Sequence, residues 1–221
     1  KLILNISKIN MKVFLVRHGR SADREANVRQ SSNSPLSQTG KNQAQAVVER
    51  LKSEEVNIIY SSPYLRAFQT AEIIGTGLSM PVETNELVRE LSRSKMDGVG
   101  YKDPLNLEFI RQMKENLYNI DWKFPKDSET FRNVAKRASQ FRDFLLATNS
   151  HQNVLVVTHG LFISCFIGVC VLGDDFIPET FMRLARSLSI ENTSISEIEY
   201  FQDNKQWKIS LLNDHLHIKN L

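Results

Sequence analysis

Two cysteines, nine glycines and six prolines are few for a chain of 221 residues, and each scarcity excludes something. Cys165 and Cys170 cannot build a disulfide framework, and in a helix the five positions between them, at about 100° each, turn the thiols to different faces. They read as core residues of a reducing, cytoplasmic compartment. Sparse glycine and proline leave no fibrous or low-complexity tract, and no internal repeat is present. Long apolar runs are missing too. The longest, 161–172, has 12 residues and is interrupted by Ser164 and Gly168, short of the roughly 18 needed to cross a bilayer. No membrane partner is expected. Nor is there a surplus of one charge: Lys plus Arg number 28 against 25 Asp plus Glu, a net +3, too small for a nucleic-acid footprint. Any preference for an anion must be local.

What is present suits a globular protein, with 41% hydrophobic and 24% charged residues. At about 150 residues per domain the length fits one large domain or a domain with a cap. The opening KLILNISKIN lacks a long apolar core and a small-residue cleavage site. Residues 1–10 therefore read as an N-terminal extension or remnant, and 11–221 as a single domain.

The run KVFLV at 12–16 is the pattern of a central strand buried on both faces. After Ser37, a helix N-cap, Ala44, Val47, Val48 and Leu51 share one helical face. A second strand is expected at 57–60. Ser62 and Pro63 then open a helix through Ile74, stopped by Gly75 and Gly77. Such alternation implies right-handed crossovers and a mostly parallel central sheet with helices on both faces, a three-layer α/β sandwich. Residues 86–127 carry Gly98, Gly100, Pro104 and Pro125 around one amphipathic segment marked by Phe109, Met113, Leu117 and Ile120, which reads as a small helical cap. A long helix at 128–148, a buried strand at 154–158, the apolar helix 161–172, a polar helix near 179–188 and two strands around a turn at 203–205 complete the chain.

Three strand ends carry Arg17-His18-Gly19, Ser61-Ser62-Pro63 leading to Arg66, and Thr158-His159-Gly160. In an open α/β sheet, ligands bind outside the carboxyl ends of strands, so these groups can converge on one pocket. Two His and two Arg there favour an anion, and phosphate is the natural guest. Gly19 and Gly160 would let backbone N–H groups approach it. A metal triad is disfavoured, because a guanidinium beside His18 repels a divalent cation and attracts phosphate.

VFLVRHGRS, the stretch from Ser32 to Ala44 with PLS and a following Gly, SSPYLRAFQTA, VLVVTHG, IENTSISEIEY and LLNDHLHI together resemble the histidine phosphatase superfamily, the phosphoglycerate-mutase-like fold. The resemblance implies that His18 is a nucleophile forming phosphohistidine and that Arg17, Arg66 and His159 surround the transferred phosphoryl group. It also implies that Asn27 adds a neutral donor, that Gly160 lies at the phosphate, and that no metal or cofactor is required. In ELVRELSRSKMDG it points to Glu90 as the general acid. Ser94 and Met96 depart from the family's usual Gly and aromatic, leaving Asp97, Asp103 and Glu86 as other acids. DSETF resembles the family's GES with Asp127 for Gly, and Ser128 reads as a helix N-cap.

The expected activity is hydrolysis of a small phosphomonoester. A mutase that returns the phosphoryl group to another oxygen is the alternative, as is a domain that only binds phospholigands. The 93 positions between Arg66 and His159 resemble the compact phosphatase members. Around the cap, Arg20, Arg89, Arg93, Lys95 and Lys102 are basic residues that could meet a carboxylate or a second phosphate, with a simply solvated charge the more ordinary reading of each.

Overall fold

The computed structural model describes residues 9–219. Its six strands are β1 (Ile9–Arg17), β2 (Ile58–Ser61), β3 (Val82–Thr84), β4 (Val154–Thr158), β5 (Ile195–Phe201) and β6 (Gln206–Asp214). They form one sheet in the order β3-β2-β4-β1-β5-β6. The four strands from β3 to β1 are parallel, and β5 and β6 add antiparallel pairs at one edge. The predicted α/β architecture with a mostly parallel sheet is therefore the observed one.

Continuous apolar runs become central strands because both faces are covered. Met11, Val13 and Leu15 of β1 join Val154, Val156 and Ile198 in one core cluster. Phe14 and Val16 join Leu155, Val157 and Ile59 in the other. The helices are α1 (Ala22–Glu25), α2 (Gln38–Leu51), α3 (Leu65–Leu78), α4 (Pro104–Glu115), α5 (Phe131–Thr148), α6 (Gly160–Leu172) and α7 (Pro178–Ser187). Val47, Val48 and Leu51 of α2 with Ala67, Ala71 and Ile74 of α3 cover one face. Phe141 and Leu145 of α5, Phe162 and Phe166 of α6 and Phe181 of α7 cover the other. Cys165 and Cys170 are buried free thiols of α6, and among the described residues no helix is long and apolar enough to cross a membrane.

Several expectations are corrected. β1 begins at Ile9, so residues 9 and 10 belong to the sheet, while 1–8 lie outside the described residues. The second strand is shifted one residue to 58–61. Helix α3 starts after Tyr64 and runs through both glycines to Leu78. Gly77 lies inside it because a Cβ there would collide with Val48 of α2; the helix ends where Ser79 takes a left-handed conformation, φ 56°. The long helix is capped by Thr130, which shares a reciprocal capping box with Asn133, and Ser128 stands outside it. Ser37 does cap α2, accepting from Gly40 N at 3.1 Å, a contact type contributing about 1 kcal/mol.

The strand registers position the site. Arg17 pairs with Thr158 and Ser61 with Val157, so β1, β4 and β2 end side by side. Between β3 and α5, residues 85–130 cross above these ends as two short 3-10 turns, Glu86–Val88 and Ser94–Met96, and α4.

Candidate active site

Arg66, in the first turn of α3, links the two imidazoles. Its Nε donates to His18 Nε2 at 3.1 Å and its Nη2 to His159 Nδ1 at 3.3 Å. A guanidinium only donates, so both acceptor nitrogens carry lone pairs. His18 Nδ1 then bears the proton and donates to the Gly19 carbonyl at 2.7 Å, while His159 Nε2 donates to Ser62 Oγ at 2.8 Å. The rings lie 5.0 Å apart, and both residues are buried. Burial foremost, then the Arg66 and Arg17 charges, holds His18 well below its ordinary pKa, against the Gly19 carbonyl. Burial, Arg66 and His18 do the same to His159. Each ring is a neutral imidazole with a fixed tautomer.

Arg17, at the end of β1, donates through Nη1 to the Ile190 carbonyl, and its buried Nε has no partner. Arg66 Nη1 donates to the Ser31 carbonyl at 2.8 Å. Among the described residues neither guanidinium has a carboxylate within ion-pair distance. Two largely buried cations beside two neutral imidazoles, attracted only by the Glu90 carboxylate from beyond ion-pair distance, leave the pocket with net positive charge, the condition an incoming anion relieves.

Glu90 reaches the pocket from the segment above. Its Oε2 accepts Leu161 N at 3.2 Å, in the first turn of α6, and its Oε1 accepts Leu91 N at 2.9 Å. The carboxylate thus sits at the positive end of a helix. Its backbone is clamped by the buried Arg137 of α5, whose Nη1 donates to the Leu87 and Arg89 carbonyls at 2.8 and 2.6 Å. Arg137 also contacts Glu129 Oε2 at 3.2 Å, and that oxygen accepts Ser92 N at 2.9 Å.

Arg17, His18, Arg66, Glu90 and Gly160 line a cavity of about 520 Å³ whose outer wall includes Phe109, Trp122, Met182 and Arg186. An adjoining cavity of about 320 Å³ shares Arg66 and Glu90 and adds Tyr64 and Asp97. The structure does not bring Asn27 to either. It is exposed and forms the left-handed turn after α1, φ 57°, and Gln30 lines the cavities instead. Asp103 is the N-cap of α4, accepting from Leu105 N, and Glu86 is an exposed partner of Arg89; neither lines a cavity. Gly19 serves sterics rather than the ligand: a Cβ there would stand 2.5 Å from the Gly40 carbonyl oxygen, and its N–H is donated to Thr70 Oγ1. At Gly160 a Cβ would meet nothing closer than 3.8 Å, so its smallness is not sterically required. Ser62 and the tautomer it fixes on His159 had no sequence signal beyond the Ser-Ser-Pro turn. Among the described residues no three His, Cys, Asp or Glu side chains gather as a metal cluster.

At the ends of β1 and β4 and the start of α3, an Arg-His pair, a second His and a helix-borne Arg thus meet with the charge and the donors to receive an anion. The sequence model of the histidine phosphatase superfamily (branch 1) matches residues 13–215, and the chain belongs to that superfamily. It is 32% identical over 199 residues to the "Probable phosphoglycerate mutase GpmB" of Proteus mirabilis, covering 89% of this chain and 87% of that protein. Its fold is similar to mycobacterial glucosyl-3-phosphoglycerate phosphatase, with TM-score 0.77, 19% identity and 92% and 99% of the two chains covered. It is also similar to the phosphoserine phosphatase of Entamoeba histolytica in complex with 3-phosphoglyceric acid, with TM-score 0.74, 23% identity and 94% and 98% coverage.

Proposed function

We propose that the protein hydrolyses small phosphomonoesters through a phosphohistidine at His18, with no metal taking part. The observation that carries this reading is the pair of largely buried guanidinia, Arg17 and Arg66, with no carboxylate at ion-pair distance among the described residues, beside a neutral His18 whose Nε2 lone pair faces Arg66. In the first step the Nε2 lone pair attacks phosphorus, the ester P–O bond breaks, and the departing oxygen takes a proton from the Glu90 carboxyl. Arg17 and Arg66 neutralise charge spreading over the equatorial oxygens, and the neutral His159 orients Arg66 through Nδ1. Arg66 Nε exchanges its bond to His18 for one to phosphate. In the second step water attacks phosphorus, gives its proton to Glu90, and the N–P bond breaks to release phosphate and restore the imidazole.

The solved phosphatases of similar fold support hydrolysis. The name of the Proteus mirabilis relative supports a second reading, a mutase that returns the phosphoryl group to another oxygen of the same sugar acid. Incubation with 3-phosphoglycerate and separate measurement of inorganic phosphate and 2-phosphoglycerate tests the choice. Phosphate in large excess over isomer is expected; the reverse ratio replaces the hydrolase with the mutase.

A further inference from the structure

The basic residues around the cap differ in what neutralises them. Arg20 lies 3.4 Å from Glu25, Arg89 3.0 Å from Glu129 and Lys95 3.1 Å from Asp127. Arg93 has no such partner: among the described residues its guanidinium makes no ion pair and no hydrogen bond, and its buried Nε is unpartnered. It is held over the rings of Phe109 and Trp122, at 5.3 and 5.8 Å from their centroids, and it lines both cavities beside Glu90 and Leu91. Arg29 lies over the same Phe109 ring at 4.4 Å, but its Nε is engaged by Asn106 Oδ1 at 2.7 Å. Arg186 of α7 lines the larger cavity as well. Burial foremost, and then the Arg29 and Arg186 charges, pull the Arg93 guanidinium down to about 10 against the attraction of Glu90, so it stays charged at neutral pH. A planar cation fixed on aromatic faces with its N–H donors free suits bidentate recognition of a carboxylate or phosphate.

We propose that Arg93 selects phosphomonoesters whose alcohol portion carries a second anionic group, a carboxylate or another phosphate. This rests on the reading of Arg17, His18, Arg66 and His159 as the phosphoryl pocket. With the reacting phosphate seated there, the rest of the substrate extends between Leu91 and Leu161 toward the aromatic wall. Its far anion meets Arg93, whose guanidinium has no ion pair or hydrogen bond among the described residues, with Arg29 and Arg186 adding positive charge to the same cavity.

Calorimetric binding to the full chain carrying His18→Ala, which cannot turn over, tests this with 3-phosphoglycerate, glycerol 3-phosphate, propane-1,3-diol bisphosphate and inorganic phosphate. At least one doubly anionic ligand is expected to bind roughly ten-fold or more tightly than glycerol 3-phosphate, as one charge-assisted contact allows. Which one does so tells carboxylate from phosphate. Adding Arg93→Gln should bring the preference to within about two-fold, and Arg93→Lys should keep an intermediate value. Equal binding of doubly and singly anionic ligands in the parent, or a preference that survives Arg93→Gln, overturns the proposal while inorganic phosphate still reports an intact pocket. Failure of every ligand, inorganic phosphate included, overturns the pocket reading and this inference together.

Discussion

Arg66 Nε donates to His18 Nε2 across 3.1 Å, so the lone pair that would attack phosphorus is kept aimed into the pocket by a group that would also bind the phosphoryl oxygens. Proton position, nucleophile direction and anion charge are set by one bond. Removing either partner should therefore have different consequences.

His18→Ala should abolish covalent labelling by a radioactive phosphomonoester, measured as alkali-stable, acid-labile phosphate on the protein. Arg66→Ala should still label, at a rate lower by about 10²–10³, the usual cost of one pre-organised donor at developing negative charge. Equal labelling of wild type and His18→Ala would remove His18 as nucleophile. No labelling or turnover by wild type on any ester would leave a domain that only binds phospholigands.

Stability should depend on pH through the two buried imidazoles. Both are held well below 6.5 in the folded protein, whereas in the unfolded chain they titrate near 6.5. Below that value the unfolded state binds protons that the folded state refuses. The contribution is thus fully present above about pH 6.5 and lost as the pH falls, with a slope of up to about 1.4 kcal/mol per pH unit for each histidine. Urea denaturation between pH 7.5 and 5.5 should show this slope, and His159→Gln should reduce it. An identical slope in the variant would mean that the imidazoles are not the groups responsible.

The backbone of the Glu90 segment hangs on Arg137, which donates to the Leu87 and Arg89 carbonyls from α5. Arg137→Met would leave those carbonyls without their buried donor and Glu129 with Arg89 as its remaining cation. A loss on the order of 1–3 kcal/mol in unfolding free energy is expected, as for buried carbonyls that lose their donor. Arg137→Lys should recover only part, because one ammonium cannot span both carbonyls and Glu129. A change below about 0.5 kcal/mol in Arg137→Met would show that the clamp contributes nothing.

The parts of this site that could be read from the chain are those fixed by β1, β4 and β2. Runs such as KVFLV and VLVVT, short, apolar and rich in β-branched residues, fit central strands, and in a parallel sheet their next residues emerge at one edge. Arg17, His18, His159 and Arg66 were legible for that reason. The outer wall was not: Phe109 and Trp122 look like ordinary core aromatics, and only folding shows that they carry Arg93 and leave it unpaired. Met182 and Ala185 of α7 likewise look like any buried helix face, although they close the cavity. Asn27, expected as a donor to the phosphate, stays outside the cavities because it forms the left-handed turn after α1, while Gln30 three residues later lines them. The strand β3 was missed because it has three residues, none buried, and so no apolar pattern. Thr130 capped the long helix instead of Ser128 because only Thr130 has Asn at the third helical position to return its bond.

Glu90→Gln should separate esters by their leaving groups. An alkyl phosphate expels an alkoxide that must be protonated as the bond breaks, whereas p-nitrophenolate leaves nearly unaided. General acid catalysis contributes about 10²–10⁴-fold, so transfer from an alkyl ester to His18 should slow on that order while transfer from p-nitrophenyl phosphate slows far less. Gln keeps the size of Glu but offers one oxygen where Glu90 uses two, one for Leu161 N and one for Leu91 N, so the contrast between the two esters, and not the absolute loss, reports on the proton. Single-turnover rates of His18 phosphorylation are the required measurement, because hydrolysis of phosphohistidine is common to both substrates and would mask the difference. Equal losses for the two esters would take the acid role from Glu90. Asp97 would then be the next residue to substitute, since it lines the adjoining cavity while Asp103 and Glu86 are engaged away from it.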